Sequence, residues 1–209
     1  RVHDFAGSFV GTRAMYHLFS AAEDVPAAEL KHLKDEITSY QIEEIGNTFS
    51  PYVRAYDQIC GLACHDLVLL RHAFGMPRLL FSDVHKDTFT TAVLDYGDFR
   101  CTLESAMMMD RRHWDEIFSV YSGEKNIHVH FPHPYLKNAA TTVEINENEP
   151  DTMINVNKDV IVSYDESYRN ELRHFYECIV ENKEPLTSGE DALLDLQLAG
   201  DIIRQSKLH

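Results

Sequence analysis

The spacing of apolar residues changes period twice along this chain, and that change limits the fold more than any other feature. Up to Pro77 the apolar side chains recur every three or four positions; in the middle of the chain they alternate; from about Ser167 they return to helical spacing. Helices at both ends of a run of strands describe an α+β domain: a large, mostly antiparallel open sheet with helices packed on one face.

The elements follow from local signals. Residues 1–11 carry Val2, Phe5, Phe9 and Val10 and read as an irregular strand. Pro26 suits a first helical position after Asp24, and Leu30, Leu33, Ile37 and Tyr40 then form an apolar stripe opposite Glu29, Lys31, Lys34 and Asp35, ending near Gly46. A second helical pattern, about Tyr52 to Phe74, stops at Gly75 and Pro77. Beyond it, a hairpin is expected around the Asp95–Asp98 turn, with Phe99, Cys101 and Leu103 alternating against Arg100, Thr102 and Glu104. Further strands are expected at 78–86, 115–122, 125–131, 141–146 and 152–156. Residues 166–182 form a helix, and the last begins at Ser188 with Asp191 three positions on, a capping-box arrangement, with Ala192, Leu196, Ala199 and Ile203 as its buried stripe.

Composition narrows the partners. The formal net charge of −15, without a basic run, argues against nucleic acid and anionic membrane surfaces. No segment has the length and apolarity of a membrane span and no signal-peptide layout is present, so a cytoplasmic protein is expected. Four cysteines in 209 residues read as small core groups rather than a disulfide framework. Because the chain opens on Arg1 inside a strand pattern, it is expected to be a piece of a longer protein, with 209 residues forming one domain.

Two polar clusters raise the question of chemistry. In "CGLACHDLVLLRHAFGMP" the cysteines are wrongly spaced for haem or a redox pair and lack a second pair for zinc, so core packing is the better reading for them. His65 beside Asp66 at a helix start is either a satisfied core histidine or a general acid or base. In "HVHFPHP", His128 and His130 share a strand face and His133 follows, yet nothing supplies a fourth ligand; a polar strand face is favoured and no metal is expected. There is no G-x-G-x-x-G, no Walker motif, no G-x-S-x-G and no H-E-x-x-H.

Three stretches together resemble one family, the glucose-fructose oxidoreductase, inositol dehydrogenase and rhizopine-catabolism oxidoreductases (Gfo/Idh/MocA). "GLACHDLVLLRHAFGMP" is similar to its histidine segment, "DTFTTAVLDYGDFRCTLESA" to its hairpin, and "ENKEPLTSGEDALLDLQLAGDIIRQS" to the Pro-x-Thr-x-x-x-Asp-Ala opening of its last helix. The resemblance covers the family's C-terminal domain and nearly all of this chain. It implies an NAD- or NADP-dependent dehydrogenase acting on a sugar, polyol or related hydroxy compound, in which a Rossmann domain before Arg1 holds the cofactor and this domain binds substrate and associates subunits. By itself the chain is then expected to bind no dinucleotide and to catalyse nothing.

The resemblance places His65 beside the nicotinamide as the catalytic group. The family's aspartate four residues earlier has no counterpart, because Gly61 stands there. Either Asp57 or Tyr56 stands in for it, or the relay differs, or standard activity is lost; the last makes a non-catalytic sugar-binding or regulatory protein the alternative. Tyr56, Asp57 and Asp66 are the expected substrate contacts. A homodimer or higher oligomer is expected through the sheet, on the strand face holding Phe99, Cys101, Leu103 and Met107, with Met108 adding apolar area from the other; the competing reading is that helices cover that side.

Overall fold

The computed structural model describes residues 1–7, 24–108, 113–134, 136 and 139–208. Eight strands form one sheet: β1 (Val2–Gly7), β2 (Arg78–His85), β3 (Phe89–Asp95), β4 (Arg100–Met108), β5 (Asp115–Tyr121), β6 (Lys125–Phe131), β7 (Thr142–Asn148) and β8 (Asn155–Ile161). Their order is β2-β3-β4-β1-β5-β6-β7-β8, antiparallel throughout except for the parallel β1–β4 pair. A parallel neighbour needs a crossover, and the helices between β1 and β2 lie within it. The first strand thus ends up at the centre of the sheet, with a helix layer on one face.

That layer consists of α1 (Ala27–Ile45), a 3₁₀ turn (Asn47–Tyr52), α2 (Val53–Gln58), a π turn (Ile59–Ala63), α3 (Cys64–Phe74) and the final helix α5 (Gly189–Gln205), while α4 (Ser167–Glu181) precedes α5. The 52–74 stretch expected as one helical pattern is therefore two helices joined by a π turn. Gly75, at φ 84°, ends α3 in a conformation that side chains with a Cβ rarely adopt. Likewise Gly97, at φ 86°, makes the β3–β4 turn possible.

Alternation sorts the strands as expected. Val2, Val84, Ala92, Leu94, Cys101, Leu103 and Phe118 face the helices and join Ile45, Ile59, Leu67, Leu70, Ile202 and Ile203 in one core. Cys101 and Leu103 are consequently core residues, and the strand face expected to associate subunits is the one the helices cover. The opposite face, with Arg100, Thr102 and Glu104 on β4, carries no helix core. Two boundaries also shift: β8 begins at Asn155 rather than 152, and the 8–11 end of the first expected strand lies outside the described residues.

The helical stripes are less simple than their spacing suggests. Leu30, Leu33, Ile37 and Tyr40 of α1 are exposed, as are Tyr168, Leu172, Phe175, Tyr176 and Ile179 of α4. In α5 the buried side is rotated from the expected stripe: Leu196 is exposed, and Asp195, Leu198, Ala199, Ile202 and Ile203 are inside. An ion pair explains the rotation. Arg71 of α3 is buried and donates from Nε to Asp195 Oδ1 (2.9 Å), from Nη1 to Asp191 Oδ1 (2.6 Å) and from Nη2 to both carboxylates (2.7 and 3.0 Å). His72 adds a 3.0 Å contact to Asp191 Oδ2. Only half of the capping box is made: Ser188 Oγ accepts from the Asp191 N–H at 3.2 Å, while the Asp191 carboxylate turns to Arg71. At the far end of α5, Ser82 Oγ donates to Ile202 O at 2.7 Å, fastening the helix to β2.

The Arg71 guanidinium, with His72, holds the Asp191 carboxyl well below the usual carboxylate range. A lowered folded-state value means the stabilisation is present above the unfolded value near pH 4 and is lost as acid protonates the folded carboxylate. Removing the cation strands two carboxylates, one of them buried. Arg71→Met is expected to destabilise the protein by about 3–5 kcal/mol in urea unfolding at pH 7, and an unchanged midpoint would show that α3 and α5 are held by apolar packing alone.

Candidate functional site

The π turn determines where His65 goes. By wedging an extra residue into the helical run, Ile59–Ala63 lets α3 restart at Cys64, so that His65 lies in its first turn with Asp66 beside it. The two point differently: His65 is exposed, whereas Asp66 is buried against the sheet at 1% exposure. Gly61 is also exposed, and nothing lies within 4 Å of where its Cβ would be.

The other expected contacts do not converge on His65. Tyr56 is buried on the side of α1 and α5, where burial and the neighbouring Cys60 push its hydroxyl up and Glu44 and Arg204 are its charged neighbours. Burial likewise raises the Cys60 thiol to about 11 and the Cys64 thiol above its ordinary value, which keeps both protonated at neutral pH. Asp57 is exposed and accepts from Gln41 Nε2 at 2.7 Å. It lines a cleft of about 310 Å3 with Arg54, Gln58, Asp87, Thr88 and Met107. Asp66 offers no surface to solvent.

Two residues that pattern reading passed over lie in this layer. Asp4 on β1 is paired in register with Glu116 on β5 and with Ser105 on β4, all on the helix side of the sheet. Asp4 is 2% exposed, and burial followed by the Glu116 charge raises its carboxyl to about 7. Burial also raises Glu116, opposed by a 2.8 Å bond from Trp114 Nε1 and by the nearby His65 charge. Asp66 is pushed well above the carboxylate range, first by burial and then by Glu116 and Asp4. The sequence signal was an acid at an inward position of a strand: Asp4 two residues from Val2, and Glu116 two from Phe118.

The histidines of β6 share the uncovered face, as alternation requires, but do not gather. His128 Nδ1 lies 2.9 Å from Ser119 Oγ, His130 Nε2 lies 3.7 Å from a Glu144 oxygen, and the His133 ring sits 5.1 Å from that of Trp114. Among the described residues no three His, Cys, Asp or Glu side chains are grouped to hold a metal ion. None of the described helices is long and apolar enough to cross a membrane.

Asp4 gives this layer a pH signature. With a folded-state value near 7 against about 3.9 unfolded, folding is most favourable with the proton on, and stability is lost as pH rises through that window. Asp4→Asn is expected to flatten the dependence, stabilising the protein at pH 8 by on the order of 3 kcal/mol while changing little at pH 4; parallel urea curves for both proteins at the two pH values would contradict it.

No protein-family model and no curated protein matches this chain. Solved structures do. A protein of Desulfitobacterium hafniense described as an NADPH-dependent oxidoreductase aligns over 98% of this chain and 54% of its own, at 13% identity and a TM-score of 0.59. A 3-ketoreductase from Actinomadura kijaniata, solved with NADP and TDP-benzene, aligns over 70% of this chain and 45% of its own, at 12% identity and a TM-score of 0.55. UDP-N-acetylglucosamine 3-dehydrogenase from Acidithiobacillus ferrooxidans aligns over 68% and 46%, at 16% identity and a TM-score of 0.52. The chain spans about half the length of the structures it matches. Its eight-stranded sheet and one-sided helix layer therefore have the fold of the Gfo/Idh/MocA-type oxidoreductases.

Proposed function

We propose that this chain is the substrate-binding and subunit-association domain of an NAD(P)-dependent oxidoreductase acting on a sugar, polyol or related hydroxy compound, with His65 as its catalytic group. The observation that carries the reading is the position of His65: exposed in the first turn of α3, above a fold whose solved relatives include sugar-nucleotide dehydrogenases and ketoreductases.

The described residues hold no strand, glycine-rich turn and helix of the kind that cradles a pyrophosphate. They do not fit a dinucleotide, which in this reading is held by a Rossmann domain outside this chain. What this chain contributes is a wall that orients the substrate and an imidazole that takes the hydroxyl proton from the carbinol as it is oxidised, or returns it on reduction. Asp57 lies on an open cleft that His65 does not line, and Tyr56 and Asp66 are buried, so none of the three is given a substrate contact in this reading.

The uncovered apolar residues suit a part that meets further protein. The exposed stripes of α1 and α4 are candidate contacts to the cofactor domain, and the bare sheet face, with Phe81 and Tyr121 exposed, is the candidate subunit interface. A second reading, a non-catalytic sugar-binding member, is favoured by one observation: Gly61 in place of an acid.

In the intact protein, His65→Ala is expected to lower turnover about 10²–10⁴-fold while leaving the urea midpoint unchanged. Turnover retained in the variant would remove His65 from the chemistry. An unmutated protein that converts no sugar or polyol with either NAD or NADP, yet binds one in calorimetry, would establish the binding-protein reading instead.

A further inference from the structure

One helix of the layer lies mostly outside it. From Ala27 to Ile37 every residue of α1 is exposed, and the helix meets the domain over its last two turns, where Thr38, Gln41 and Ile42 are half-buried and Ile45 is buried. Gln41 reaches Asp57 of α2 at 2.7 Å, and Arg204 of α5 donates to Glu44 O at 2.8 Å. These contacts hold the C-terminal end, so the first three turns have no packing of their own among the described residues.

Two different stripes run along this helix. The side that meets the domain is Thr38, Gln41, Ile42 and Ile45, the broad spacing of a helix laid on a core. Leu30, Leu33, Ile37 and Tyr40 form the other, between 45% and 62% exposed, and at ~100° per residue it lies about a third of a turn from the first. It is therefore not an overflow of the core. Its steps of three, four and three residues follow a seven-residue repeat, and Lys31 and Asp35 pair with each other on the side away from it. An apolar line this narrow matches the seam between two paired helices. The exposed stripe of α4, with Leu172, Phe175, Tyr176 and Ile179, is the broader kind that suits a groove or a second domain.

Charge selects the partner. Glu29, Glu36 and Glu43 flank one edge of the seam, and Lys34 and Gln41 flank the other. Against a second copy running antiparallel, like edges meet and glutamate opposes glutamate. Against a parallel copy, opposite edges meet and Glu29 faces Lys34 of the other helix, so the pattern is self-complementary in that orientation alone.

We infer that α1 pairs in parallel with α1 of a second copy of this chain, with Leu30, Leu33, Ile37 and Tyr40 meeting their own counterparts along a two-fold axis. Two repeats make a weak pair by themselves, but α1 is already folded and fixed at one end, which removes the nucleation cost that an isolated helix bears. The contact is separate from the bare sheet face, leaves the α4 stripe for the cofactor domain, and does not depend on the dehydrogenase reading.

The test is disulfide cross-linking of the intact protein under mild oxidation. In a parallel pair each seam residue faces its counterpart, so Ile37→Cys is expected to give a covalent dimer on a non-reducing gel, while Asp35→Cys, on the far side of α1, is not. Both changes are at exposed positions, and an unchanged urea midpoint confirms that the fold is kept. In the Ile37→Cys protein, Lys34→Glu is expected to slow cross-linking about 10-fold at low salt, and Glu29→Lys added to it is expected to restore the rate. Cross-linking of Ile37→Cys no faster than that of Asp35→Cys overturns the inference, and weakened NADP binding by Ile37→Glu would then assign the stripe to the cofactor domain. A charge swap that fails to restore the rate overturns the parallel orientation. Because the readout is a gel, absence of turnover in the unmutated protein would remove the dehydrogenase reading and leave the helix pairing untouched.

Discussion

The attachment of α3 to α5 by Arg71 is the contact on which the site depends. One guanidinium, buried on the helix layer, satisfies two carboxylates one turn apart on α5, and a bidentate planar cation is the only common side chain that can do so. Because α5 is also fastened to β2 through Ser82 and Ser206, the clamp fixes α3 to the sheet by way of a second helix. His65 stands six residues before Arg71 on the same helix, so its position is set from behind by an ion pair that touches no ligand. The Asp of the last helix's opening segment is thereby explained as a structural residue.

The cost of this arrangement appears one layer deeper. A helix start that carries a buried aspartate is set down over two inward acids of the sheet, of which Asp4 is buried as well, and two buried carboxyls without cations are an expensive arrangement for a core. Burial favours the protonated form of both, so the penalty is met as pH rises toward neutrality. Stability is then surrendered at neutral pH for an electrostatic environment, a pattern common where chemistry is done.

Much of the fold was legible in the order of residues. Val2, Leu94, Cys101 and Leu103 alternate inward as period-2 spacing demands, and Gly75 and Ser188 mark helix ends where their backbone chemistry predicts. What spacing could not supply was partnership. The stripe of α1 reads as a buried face, yet Leu30 and Ile37 meet no neighbour among the described residues that covers them, and α5 turns its Asp195 inward because Arg71, 124 residues away, draws it there. The site was only partly legible for the same reason. His65 stood out within its own motif, but Asp4 and Glu116 come together only through the register of strands far apart in sequence, and their single local sign was an acid on an apolar strand face. Tyr56 and Asp57, adjacent in the chain, point to opposite surroundings because a helix turns about 100° per residue.

In the proposed function the first turn of α3 presents His65 to the reacting carbon of an alcohol. A crystal structure of the intact protein with NADP and a bound polyol tests it directly. The carbinol oxygen is expected within hydrogen-bond distance of a His65 ring nitrogen. A polyol bound in the Asp57 cleft with His65 turned to solvent, or a nicotinamide ring remote from the start of α3, would contradict it.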